Sequence, residues 1–143
     1  MIYLDTSILV AYYCPEPLSE QAERLLRSHI MPAVSDLTEV ELISALSRKV
    51  REGDMDRSDA ERVAALFLSH LSMHMYVRVP LRRQHYRLAR DWIGRFVLPL
   101  RSLDALHLAV AEVEGRTMAT ADSGMAGSAA ALGIETILLT APP

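Results

Sequence analysis

Four acidic residues spread along the 143-residue chain, Asp5, Glu41, Asp104 and Asp122, are the side chains best suited to do chemistry. Asp5 closes the apolar run Ile2-Tyr3-Leu4 and is followed by Thr6-Ser7; Asp122 follows Thr117–Ala121 in the same manner. A carboxylate just beyond a buried parallel strand lies where open α/β sheets hold their ligands. Glu41 falls in the early turns of a helical run that starts at Asp36, and Asp104 at the start of another that opens at Ser102. Each acid alone has an ordinary use, because carboxylates cap helix N-termini and complement the dipole for about 0.3–2 kcal/mol. Thr38 and Glu41 have capping-box spacing, yet Asp36 and Glu39 form an overlapping box that leaves Glu41 spare.

As a group the four imply more. At about 5 Å and an effective dielectric of about 20, a pair of like charges costs about 3 kcal/mol. Six such pairs approach ~20 kcal/mol, more than a typical stability of about 5–15 kcal/mol. A convergent quartet therefore needs cations or raised pKa values. An open, all-oxygen site favours Mg²⁺ or Mn²⁺.

The elements that must position these acids alternate. Strands are expected at Ile2–Leu4, Ala33–Ser35, Met75–Pro80, Thr117–Ala121 and Glu135–Leu139. Helices are expected over Ile8–Tyr13, Ser19–His29, Asp36–Arg51, Ser58–Leu71, Gln84–Phe96, Ser102–Glu114 and Ser123–Leu132. Leu37, Val40, Ile43, Leu46 and Val50 form the apolar stripe of the third helix, Val63, Leu66 and Phe67 that of the fourth, and Tyr86, Leu88, Ala89, Trp92 and Ile93 that of the fifth. Ser102 is expected to cap its helix and Gly115 to end it. Strand and helix alternation predicts one α/β domain over residues 1–140, a parallel sheet of about five strands with helices on both faces, and a 141–143 tail. The strands' C-terminal ends then share one edge, onto which Asp5, Asp122 and the helix bearing Glu41 open, with Asp104 within reach.

Bulk properties restrict function. Half the residues are hydrophobic, but no apolar run reaches the ~18 residues of a membrane span, and no secretory leader pattern opens the chain. The single Cys14 forms no internal disulfide and no Cys/His set has zinc spacing, which fits a cytoplasmic setting. A net charge of −3 leaves nucleic-acid binding to local patches. Arg78, Arg82, Arg83, Arg87 and Arg90 form the densest basic stretch, and Arg48, Lys49 and Arg51 a smaller one; a solvated helix face is the plainer use of either. His107, three residues after Asp104, is expected to be packed and hydrogen-bonded. Leu9, Leu42 and Leu46 are expected to leave apolar surface for a dimer or a docked helix.

Asp5-Thr6-Ser7 after a strand, Leu37-Thr38-Glu39-Val40-Glu41-Leu42, Arg101-Ser102-Leu103-Asp104-Ala105-Leu106-His107-Leu108-Ala109 and Thr120-Ala121-Asp122 together resemble the PIN-domain ribonucleases, most of all the VapC-type toxins of toxin–antitoxin pairs. The resemblance covers nearly the whole chain, with four short motifs in order. It implies a metal-dependent endoribonuclease that holds Mg²⁺ or Mn²⁺ through Asp5, Asp104, Asp122 and Glu41, with Glu39 the competitor for the second position. It also implies an RNA substrate, a cognate antitoxin and a homodimer. Thr6, Ser7 and Thr120 are expected to orient the acids. The family commonly carries a further acid after the last aspartate; Ser123, Gly124 and Met125 stand there instead.

Other functions compete. A phosphatase of the haloacid-dehalogenase kind also places Asp after the first strand, but wants an acid where Ser7 stands. A catalytically inactive PIN-like module that binds RNA or protein would keep the fold without turnover. An α/β domain whose acids are all caps would show no metal-linked rise in melting temperature.

Overall fold

A computed structural model describes residues 1–142; Pro143, the last residue of the expected tail, lies outside the described residues. The elements are β1 (Ile2–Leu4), α1 (Thr6–Tyr13), α2 (Ser19–Ser28), β2 (Ala33–Ser35), α3 (Asp36–Arg51), α4 (Arg57–Ser72), β3 (Val77–Val79), α5 (Arg83–Ile93), α6 (Ser102–Val113), β4 (Thr117–Thr120), α7 (Ser123–Ala131) and β5 (Thr136–Leu138). The sheet is parallel throughout, in the order β3-β2-β1-β4-β5. β1 is therefore central, and the chain reverses its direction of growth there, so a crevice opens between the C-terminal ends of β1 and β4. Tyr3 pairs with Met118 and Leu4 with Ala119 in that register.

Alternation along β1 divides the core. Tyr3 faces one layer, with Ala89 and Trp92 of α5, Leu108 of α6 and Ala129 of α7. Ile2 and Leu4 face the other, with Ile8 and Leu9 of α1, Leu42 of α3 and Phe67 of α4. Full burial of a side chain such as Leu4 or Phe67 contributes about 1.5–3 kcal/mol. Gly115 ends α6 with φ +62°, a left-handed conformation that favours glycine at a helix C-terminus. Among the described residues no helix is long and apolar enough to cross a membrane.

Several expected faces are turned. On α3 the buried residues are Thr38, Leu42 and Leu46, while Val40 is 70% and Ile43 42% exposed. Spacings of three and four both occur in this helix, and docking onto the sheet selects the row of fours, which also carries Glu41 to the sheet edge. Leu9, Leu42 and Leu46 are accordingly core residues rather than surface. Leu66 on α4 and Tyr86 on α5 are exposed too, because Phe67 and His85 take the inward positions. Ser102 is the first helical residue of α6 rather than its cap. The α3 box is made by Ser35 and Thr38, whose Oγ1 accepts from the Ser35 N–H at 3.2 Å; Asp36 instead accepts from the Leu81 N–H at 3.3 Å.

Candidate active site

Asp5 follows β1 immediately and caps α1. Its Oδ1 accepts from the Ser7 N–H at 2.9 Å, from the Ser7 hydroxyl and weakly from the Ile8 N–H, and its Oδ2 accepts from Thr120 Oγ1 at 2.6 Å. Burial pushes the Asp5 carboxyl above its ordinary range, against the pull of the Ser7 and Thr120 hydroxyls. Ser7 Oγ also accepts from the Ala121 N–H at 2.8 Å, and Thr120 Oγ1 from the Asp122 N–H at 3.0 Å. These two hydroxyls thus join the ends of β1 and β4 and fix Asp5 relative to Asp122.

Asp122 begins α7. Its Oδ1 accepts from the Gly124 N–H at 2.8 Å and the Met125 N–H at 3.1 Å, so the capping use is real for this acid. A Cβ at position 124 would stand 3.2 Å from that oxygen, so glycine suits the turn.

Glu41 points to the same edge from the second turn of α3. Its Oε1 accepts from Thr6 Oγ1 at 2.7 Å and from His107 Nε2. Burial alone would raise the Glu41 carboxyl, but His107 and Thr6 outweigh it and hold it below the usual range. Glu39 is differently placed: Arg78 pairs with it at 3.0 Å, away from the other acids. Of the two candidates for the second position, Glu41 shares partners with α1 and α6, and Glu39 pairs with Arg78 of β3.

Asp104 sits half-buried in the first turn of α6. Its carboxyl is pushed up first by burial and then by the negative charges of Asp122, Glu41 and Asp5, with His107 opposing. The charges of the other three acids thus all reach Asp104, and no hydrogen bond to its carboxyl relieves them among the described residues. A groove of about 780 Å³ opens alongside, walled by Thr6 and Val10 of α1 and by Glu41, Ala45 and Arg48 of α3.

The donor set suits a hard divalent cation. Hydrogen bonds take one oxygen each of Glu41 and Asp122, leaving Glu41 Oε2, Asp122 Oδ2 and both oxygens of Asp104 without a hydrogen bond among the described residues. Among the described residues, no three acidic, histidine or cysteine side chains are already gathered into a coordination sphere. The acids thus form no closed cage, and what favours a cation is the charge that the other acids place on Asp104.

Residues 2–130 match the family model described as PIN domain. The chain belongs to the PIN-domain family. Ribonuclease VapC46 of Mycobacterium tuberculosis is 33% identical over 140 residues, 95% of each chain. The fold of this PIN domain is also that of the crystal structure of Mycobacterium tuberculosis VapC20, a sarcin-ricin loop cleaving toxin, with a TM-score of 0.72 and 20% identity over 90% of this chain and 95% of that one. VapBC2 from Rickettsia felis, bound to a DNA fragment from its promoter, gives a TM-score of 0.68 and 18% identity over 98% and 100% of the two chains.

Two residues of this PIN domain's site carry more than their sequence positions suggest. His107 is packed and hydrogen-bonded as expected, but its partner is Glu41. Tyr3 reads in the sequence as one more apolar strand residue, yet its hydroxyl meets His107 Nδ1 at 2.6 Å. A tyrosine at the middle of a doubly covered strand is itself a signal, since a buried phenol must find a partner.

Proposed function

We propose that this protein is a metal-dependent endoribonuclease that hydrolyses RNA phosphodiester bonds and acts as the toxin of a toxin–antitoxin pair. The observation that carries this is Asp5 fixed by Ser7 and Thr120 at the joined ends of β1 and β4, with the adjacent Thr6 holding Glu41, on a chain 33% identical to a named ribonuclease over 95% of its length. Asp5 and Asp104 are the principal ligands for Mg²⁺ or Mn²⁺, Asp122 a ligand or water-orienting group, and Glu41 a ligand through water or the base. A bound divalent cation would polarise the phosphate and lower the pKa of water.

The chain's own groups do the rest. Ser7 and Thr120 hold Asp5 in one rotamer by bonding one to each oxygen, and Oδ2, which accepts from Thr120 alone, keeps a lone pair for a ligand. Glu41, kept ionised by Thr6 and His107, can accept a proton from an attacking water. The groove beside it offers RNA a path, and its wall sets Arg48 and Lys49, which could meet phosphates, among the acids Glu16, Glu52 and Asp54.

The partners follow the same reading: an RNA substrate, a cognate antitoxin protein and a second copy of the chain, in the cytoplasm. Val40 and Ile43, exposed on α3, are the apolar surface offered to such contacts. The test is RNA cleavage by purified protein with and without Mg²⁺ or Mn²⁺. Wild type should cut only with the ion, and Asp5→Asn should fold and not cut. Full activity in Asp5→Asn would refute the assignment, and metal-saturated wild type that binds RNA without cutting it would mark an inactive binding module.

A further inference from the structure

Behind Glu41 runs a line of buried polar groups that the cleavage chemistry above does not use. Thr38 Oγ1 lies 3.3 Å from Ser35 Oγ, Ser35 Oγ 2.8 Å from the Tyr3 hydroxyl, and that hydroxyl 2.6 Å from His107 Nδ1. His107 Nε2 then meets Glu41 Oε1. Tyr3 and Thr38 are fully buried, Ser35 is 1% and His107 2% exposed. The members come from β1, β2, α3 and α6, so the line crosses the molecule beneath the site.

Counting donors sets its direction. A carboxylate only accepts, so His107 Nε2 must carry the hydrogen it shares with Glu41. Taking the imidazole as neutral, Nδ1 is bare and the Tyr3 hydroxyl donates to it, whereas an imidazolium would donate from both nitrogens. The Tyr3 oxygen is left to accept from Ser35. Ser35 Oγ in turn accepts from Thr38, whose own oxygen already accepts from the Ser35 N–H. Every hydroxyl hydrogen points the same way and the line ends on Glu41. A phenylalanine at position 3 would leave Nδ1 buried without a donor, whereas tyrosine locks one tautomer.

Given the reading of this cluster as a cleavage site, we propose that His107, held as its Nε2–H tautomer by Tyr3, is a positioning residue. With Thr6 it clamps Glu41 Oε1 and so fixes the carboxylate with Oε2 left free for a ligand. The alternative is a satisfied core histidine that contributes only to stability.

The experiment uses ¹⁵N-labelled whole protein and Mn²⁺ as the probe. Imidazole NMR of wild type should show His107 protonated at Nε2 and bare at Nδ1, and Tyr3→Phe should mix the two tautomers. His107→Leu should weaken Mn²⁺ binding, measured by titration calorimetry, and lower kcat at saturating Mn²⁺, each by about 10–100-fold, with KM for RNA unchanged. His107→Gln, which keeps an N–H donor near the Nε2 position, should recover most of both. Tyr3→Phe, which removes one oxygen only, should fold and lose several-fold. Folded His107→Leu with unchanged Mn²⁺ affinity and kcat would overturn the proposal. So would an Nδ1–H tautomer in wild type, or His107→Gln failing as fully as His107→Leu while both melt early. NMR and Mn²⁺ titration read out without any RNA, so failure of this proposal is distinct from failure of the nuclease assignment.

Discussion

Replacing Asp104 by Asn should make the metal-free protein more stable while removing its activity. The ionised Asp104 carboxylate is disfavoured by partial burial and by three acids of like charge. A pair of carboxylates about 6 Å apart costs about 3 kcal/mol at an effective dielectric of about 20. Solvent screening of a half-buried group cuts this sharply, and relief at Asp104 is set at about 1 kcal/mol in all. For a domain of this size that is a rise in Tm of about 3–5 °C. The sign of the pH dependence follows from the raised folded pKa. Below the unfolded value Asp104 is protonated in both states and costs nothing. The cost sets in as pH rises through the folded pKa and is complete above it. The gain of Asp104→Asn should therefore be present at about pH 7 and vanish below about pH 3. Calorimetric melts of both proteins at the two pH values, with and without Mn²⁺, test this. Mn²⁺ should raise the wild-type Tm and close the gap, with a much smaller effect on the variant. Asp104→Asn melting at or below wild type near neutral pH, in the absence of metal, would refute the picture of Asp104 as the group that bears the repulsion.

Glu41→Gln should lower kcat about 100-fold while Glu39→Gln stays within about threefold, because only Glu41 faces the crevice; steady-state RNA cleavage by the two variants decides between them. Glu41 should also stabilise the fold above its unfolded pKa and lose that contribution as pH falls through its lowered folded pKa, an effect that urea melts of wild type and Glu41→Gln between about pH 2 and 6 would reveal. Neutralising Arg82 and Arg83 should reduce the salt slope of RNA binding if α5 touches phosphates; an unchanged slope would leave that face merely solvated. Phe67→Ala should destabilise by about 3–5 kcal/mol in chemical denaturation, since the ring is fully buried against Tyr13 and Tyr76.

The outline of the fold was legible in the sequence for a physical reason. Buried parallel strands read as short apolar runs, and helices between them end at glycines and prolines, so Ala33–Ser35 and Asp36–Arg51 have the bounds expected of them. The direction in which helices turn their faces was not. Val40 and Ile43 fit one inward row of α3 as well as Leu42 and Leu46 fit another, and only the sheet beneath chooses. The acids at the strand ends and helix starts were legible because topology alone carries them to one edge. The hydrogen bonds that orient them were half legible: Ser7 and Thr120 lie within two residues of the acids they serve or adjoin, whereas the Tyr3–His107 contact spans 104 positions and leaves no local pattern.

Placing the first strand at the middle of the sheet also has a consequence in time. Asp5 is made 115 positions before its partner hydroxyl on Thr120. A growing polypeptide therefore carries Asp5 without that partner until β4 has been made, and the joined end of β1 and β4 cannot assemble before then.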